Sequence, residues 1–193
     1  MTMRQERAQR TANILYIIFT VLYWLNIAVV VLAAAGFLIQ FILPEDLFWV
    51  NSESFGFTFD NAIYFKTSFP DPVNIKGFVQ IFLLWTVPLG LMLLVGIRYL
   101  VKILKRVKEG DPFCDENIKS LSVIGFDLIA AAFLVNLAEI FLMNHLLKLF
   151  NIQNIQMNYS ANIPYLLAGI LVLLLAGIFN YGRFLKSEYD ATV

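Results

Sequence analysis

The chain has little reactive chemistry to offer. One cysteine, Cys114, and one histidine, His145, stand among 193 residues, so no intramolecular disulfide, no CxxC redox pair and no zinc site of Cys and His can be assembled. Charged residues make up 15%, and fourteen Lys and Arg cancel fourteen Asp and Glu. Without an overall basic field, direct nucleic-acid binding is excluded. An HExxH motif, a phosphate-cradling glycine loop, a Ser, His and Asp set and a pair of intramembrane aspartates are all missing. We therefore expect no enzyme, no cofactor and no metal.

Apolar surface is what the chain has in quantity. Hydrophobic residues make up 60% and the mean hydropathy is +0.74, well beyond the about 45–50% apolar content of soluble domains. A helix needs about 20 mostly apolar residues to cross about 30 Å of hydrocarbon, and four charge-poor stretches meet that length, at 14–43, 78–97, 121–147 and 164–182. The first carries no charge. The second is closed by Arg98, and the third carries Asp127, Glu139 and His145. Pro164 opens the fourth, where its missing N–H costs nothing. The expected fold is all-α and integral to the membrane: one domain over 1–193, a bundle of four transmembrane helices with a cytoplasmic helical hairpin extension at 98–120 and a small outer β-hairpin in the loop 44–77.

Arg4, Arg7 and Arg10 before the first span, with Ala33-Ala34-Ala35-Gly36 within it, resemble a signal peptide. The apolar run is too long for a signal-peptide core, so it reads as a retained anchor. It also exceeds the bilayer, and should tilt or project. Cytoplasmic flanks hold the excess of Lys and Arg. One side collects eleven, from Arg4, Arg7 and Arg10 through Arg98–Lys119 to Arg183 and Lys186, against Lys66, Lys76 and Lys148 on the other. Both termini are expected in the cytoplasm, and the bilayer is the first expected partner.

In the outer loop, Ser54-Phe55-Gly56-Phe57-Thr58-Phe59 alternates with the period of a strand, Asp60-Asn61 offers a turn, and Ala62 to Thr67 can return. Phe57 and Phe59 are expected to share a face with Tyr64. Two readings stand, an aromatic cap over the helix ends and a ligand-binding ectodomain.

On the other side, Arg98, Lys102, Lys105, Arg106 and Lys108 continue the second helix, with positive charge suited to its C-terminus and to anionic lipid. Gly110 is the stop and Asp111-Pro112 the break. The third helix restarts near Cys114 or Asp115, with Asp115 and Glu116 at its N-terminus. This hairpin serves either to orient and anchor the chain or as a docking surface of Gly110, Asp111, Pro112, Phe113 and Asn117, with Phe113 at the tip.

The run Lys108-Glu109-Gly110-Asp111-Pro112-Phe113-Cys114-Asp115-Glu116-Asn117-Ile118, with Leu121 and Ile124-Gly125 after it, resembles the cytoplasmic signature of the YoaS-like four-span bacterial membrane proteins of unknown function. The closing segment from Phe179-Asn180-Tyr181-Gly182 to Glu188-Tyr189-Asp190 resembles the end pattern of that family. Cys114 departs from the signature, standing where a Ser or Thr cap is usual, and the outer loop is longer than the family's. The resemblance implies a bacterial inner-membrane protein; members of that family are often encoded beside a small Cro-type helix-turn-helix regulator, which by family analogy is a candidate cytoplasmic partner.

Ionisable groups inside a span are costly and are candidates for function or for buried pairing. At about 100° per residue, Gly125, Ala132, Asn136 and Glu139 share one stripe of the third helix, and Asp127, Ala131, Ala138 and His145 share another. Small residues on both stripes admit close neighbours, so this helix belongs in the middle. Asp127 is expected to pair with Arg98 or Arg183. Glu139 lies near Gln40, Gln80 and His145, either neutral or as a cation or proton site. His145 reads as a boundary residue, and Asn26 as a cross-helix hydrogen-bonding group.

These parts suit a regulatory or interaction protein that presents its hairpin to a partner and needs no catalytic residue. The alternative is a small transporter or channel using Glu139 and Asp127, which with four spans would require a homo-oligomer.

Overall fold

The computed structural model describes residues 3–50, 55–59, 63–67, 72–150 and 158–192. Four helices dominate: α1 (Met3–Ile39), α2 (Lys76–Glu109), α3 (Asp115–Leu149) and α4 (Ile163–Thr192). All four are long and apolar enough to cross a membrane, and the protein is a multi-pass membrane protein. Between α1 and α2 lie a 3-10 turn, Glu45–Phe48, and the strands β1 (Trp49–Val50), β2 (Phe55–Phe59), β3 (Ile63–Thr67) and β4 (Val73–Asn74).

The helix ends depart from the sequence reading for local reasons. Helix α1 stops at Ile39 because the next turns tighten, with Phe41 N–H donating to the Leu38 carbonyl and Ile42 N–H to Ile39. Pro44 then holds an extended backbone and disfavours helix in the residue before it. Helix α2 runs through Pro88 to Glu109, so 98–109 is one rod with the second span. Helix α4 continues to Thr192, ten residues past Gly182.

In the outer loop β2 and β3 pair antiparallel, as expected, but in another register. Phe57 faces Phe65, and Tyr64 stands opposite Thr58, so Tyr64 does not share the register of Phe57 and Phe59. A slip of one residue exchanges the two faces of a strand. The Asp60-Asn61 turn lies outside the described residues. The base of the loop has a second, unforeseen ladder, Trp49 opposite Asn74 and Val50 opposite Val73. It is fastened by the Ile75 N–H on the Phe48 carbonyl at 2.9 Å, with the Lys76 ammonium 5.6 Å from the centre of the Phe48 ring.

The helices pack in chain order, α1 on α2, α2 on α3, α3 on α4. Helices α1 and α4 are not close neighbours, so the bundle is open along one side. Its surface is correspondingly large. A compact soluble monomer of this mass exposes about 9,300 Å², whereas this chain exposes 13156 Å². Lipid supplies the remaining apolar cover.

At the α3–α4 crossing the two backbones themselves come close. A methyl group at Gly169 would lie 2.8 Å from the Gly125 carbonyl oxygen and 3.0 Å from the Ile129 nitrogen, so only glycine allows the two backbones to approach this closely. Helix α4 is also displaced along α3. Asn162 N–H donates to the Ala132 carbonyl at 2.8 Å, which starts α4 beside the middle of α3 and carries its other end past the α2–α3 connection.

Candidate functional site

The α2–α3 connection is built by two opposed capping devices. Gly110 takes φ 90°, in the left-handed region, and its N–H donates to the Val107 carbonyl while Asp111 N–H donates to Arg106. These bonds close the helix end in the manner glycine is selected for. Cys114 is the N-cap of α3, with an extended backbone and no side-chain cap bond. Its carbonyl accepts from the Asn117 and Ile118 N–H groups. A thiol is a poor substitute for a capping hydroxyl, and Sγ instead accepts from the Arg106 guanidinium at 3.5 Å.

Arg106 also donates to Glu116 Oε2 at 2.8 Å. Glu116 lies in the first turn of α3, outside the apolar stretch. Its own backbone N–H, and then Arg106, hold its carboxyl below the usual range. Asn117, expected at a docking surface, is instead fully buried. Its Nδ2 donates to the Pro112 carbonyl at 2.9 Å, fixing the turn from inside, because the i+5 reach across the cap directs it under the loop and away from solvent.

Helix α4 grips this tip. Arg183 forms an ion pair with Asp115. The Phe113 ring packs on Phe179 with centroids 5.0 Å apart and lies against Gly182. On the other flank, Lys108 stands over the Tyr16 ring of α1 at 5.8 Å. The tip of the expected hairpin therefore sits among the helix ends, with α1 and α4 running past it. Phe113 nevertheless stays 40% exposed, and Asp111 is exposed beside it.

The intramembrane candidates lie away from the tip. Asp127 faces α2, where a methyl at Gly96 would meet its Oδ2 at 3.2 Å. Neither expected ion pair forms among the described residues. Arg183 is level with Asp115, three turns away, because α4 is displaced. Arg98 lies two residues beyond Gly96, and at about 100° per residue it leaves α2 on the far side. His145 likewise faces α2, against Gly77.

Gly125 and Ala132 face α4, and Asn136 Oδ1 accepts the Ser160 N–H at 3.0 Å, so the two stripes of α3 do serve two neighbours. Glu139 is exposed. Asn26 Oδ1 is buried with no hydrogen-bond partner among the described residues, and the same holds for both polar atoms of Gln40.

Sequence reasoning missed the clamp. Phe113 and Arg183 each carried a signal, a large apolar side chain at a loop tip and a cation just beyond a span. What paired them was the displacement of α4, which no local pattern encodes. Among the described residues no group of His, Cys, Asp and Glu could hold a metal ion. No curated protein and no solved structure matches the chain. A family model described as a protein of unknown function, DUF2975, matches residues 4–193, and the chain belongs to that family.

Proposed function

We propose that this is a regulatory or interaction protein of the bacterial inner membrane, with both termini in the cytoplasm and the tip 110–116 as its docking surface. The excess of Lys and Arg at the tip end supports that orientation. The carrying observation is the clamp formed by α4. Its ion pair joins side chains 40% and 61% exposed, a setting in which such pairs contribute about 0.2–1 kcal/mol. The Phe113–Phe179 ring contact adds about 0.5–1.5 kcal/mol beyond area burial. Together these are small enough for a partner or a change in the bilayer to release, and large enough to keep the tip mostly seated.

Release would free Phe113 and Asp111, which are already partly outward. The partner implied by the YoaS-like resemblance is a small helix-turn-helix regulator, so that the membrane protein acts on transcription only through it. In-cell crosslinking from the tip tests this reading. The native chain should capture a cytoplasmic protein that is lost when Asp111, Pro112 and Phe113 are replaced by Gly and Ser. If both chains are equally abundant and neither captures one, the transport alternative takes over. Its own test is pH-dependent flux in liposomes, abolished by Glu139→Gln.

A further inference from the structure

Just beyond the apolar stretches at the basic end, α2 and α3 part to form an open groove of about 750 Å³. Four cations line it, Lys102, Lys105 and Arg106 from α2 and Lys119 from α3, against one carboxylate, Glu116. Glu116 is taken by Arg106 at 2.8 Å, which leaves three ammonium groups without an acidic counterpart in the groove. All three lysines are exposed. Lys102 is steered by the Tyr99 ring, 4.5 Å from its centre.

The two serine hydroxyls in the groove are already committed. Ser120 Oγ donates to the Glu116 carbonyl at 2.6 Å and Ser122 Oγ to Ile118 at 3.0 Å. Beside the Tyr99 hydroxyl, the donors that remain are cationic. On the membrane side the groove continues into Val123 and Phe126, and Phe126 is 64% exposed. A positive mouth over an apolar face fits an amphiphile with a phosphate head. Charge complementarity excludes a zwitterionic lipid as the preferred occupant, since three unpaired cations call for net negative charge.

We propose that the α2–α3 groove binds the headgroup of an anionic glycerophospholipid, with its phosphate between Lys102, Lys105 and Lys119 and an acyl chain along Val123 and Phe126. This inference goes beyond the docking role of the tip and stands without it. The groove shares Arg106 and Glu116 with the tip's cap, so an occupied groove braces the α2–α3 connection.

Native mass spectrometry of the full chain in detergent tests the proposal. Phosphatidylglycerol is titrated against phosphatidylcholine of identical acyl chains, with inorganic phosphate and glycerol phosphate as soluble competitors. The native chain should retain phosphatidylglycerol in preference. Lys102→Gln with Lys119→Gln should weaken it by about thirtyfold, at about fivefold per cation. Arg98→Gln with Lys108→Gln removes equal charge outside the groove and should change affinity by less than about twofold.

Lys102→Arg with Lys119→Arg should bind as the native chain does, which separates lost charge from lost fold. Equal loss in the two Gln pairs would mean a diffuse surface field and overturn the site. Displacement by inorganic phosphate at the concentration that competes for the whole lipid would overturn the lipid as occupant. Equal retention of phosphatidylcholine would overturn both.

Discussion

Arg183, near the far end of α4, is ion-paired with Asp115, the first residue of α3. Sixty-eight positions apart in sequence, the two residues close a contact that seats the α2–α3 tip against the last helix. The single cysteine, Cys114, adjoins this contact and is part-exposed, so it reports on the clamp without any added label site. Phe113→Ala combined with Arg183→Glu should raise the rate of maleimide labelling at Cys114 by about fivefold to tenfold, the equivalent of removing roughly 1–1.5 kcal/mol. Exchanging the charges, Asp115→Arg with Arg183→Asp, should return the rate toward that of the native chain.

The α3–α4 crossing rests on the absence of two side chains. Gly169→Ala places a methyl against backbone atoms that cannot turn away, and should cost about 1–3 kcal/mol. Gly177→Ala is its control, because a methyl there meets nothing within 4 Å. Unfolding of both variants in detergent by titrated denaturant should shift the first midpoint downward and leave the second at or slightly above that of the native chain.

Asn136 supplies the acceptor for an irregular segment beside the middle of α3. Backbone N–H groups at such a depth need a partner from the protein. Asn136→Leu should therefore speed hydrogen exchange at the Ser160 amide by about fivefold, the equivalent of about 1 kcal/mol for one hydrogen bond. Exchange along α1 should not change.

The Glu116 carboxyl is held below its usual range by its own backbone N–H and by Arg106. A carboxyl lowered on folding contributes stability that is present above its unfolded value, about 4.3, and is lost as the pH falls through the lower folded value. Thermal stability in detergent should therefore contain a component that is flat at neutral pH and falls below about pH 4.3. In Glu116→Gln that acid component should be reduced, and Cys114 labelling at neutral pH should be faster.

The four spans were legible because bilayer thickness imposes length and apolarity on each helix independently of its neighbours. Gly110 as a stop and Cys114–Asp115 as the restart were legible for a similar reason, since caps are local chemistry. The two faces of α3 also followed from helical periodicity, and they meet α2 and α4 as that periodicity requires. That Asp127 does not pair with Arg183 was not legible. It depends on the axial displacement of α4, set by the close approach of Gly125 and Gly169 and the Asn162 bond to Ala132, and a shift of a few turns reassigns the pairs between α3 and α4. The strand register failed similarly, because alternation marks a strand without fixing which residue stands opposite which.

Under the proposed function, α4 holds the docking tip and its release exposes a surface for a cytoplasmic partner. In-cell crosslinking from the tip in four forms tests it: the native chain, Arg183→Glu alone, the released Phe113→Ala with Arg183→Glu, and a locked Asp115→Cys with Arg183→Cys carrying Cys114→Ser and joined through a reducible bis-methanethiosulfonate spacer. Phe113 remains in the locked form, so the account predicts capture of one cytoplasmic protein by the native chain, loss of capture on locking, and recovery on reduction. The released form lacks the Phe113 anchor and should open fully but hold the partner weakly, while Arg183→Glu alone should capture more than the native chain. Equal capture by the native, Arg183→Glu and locked forms would contradict the account.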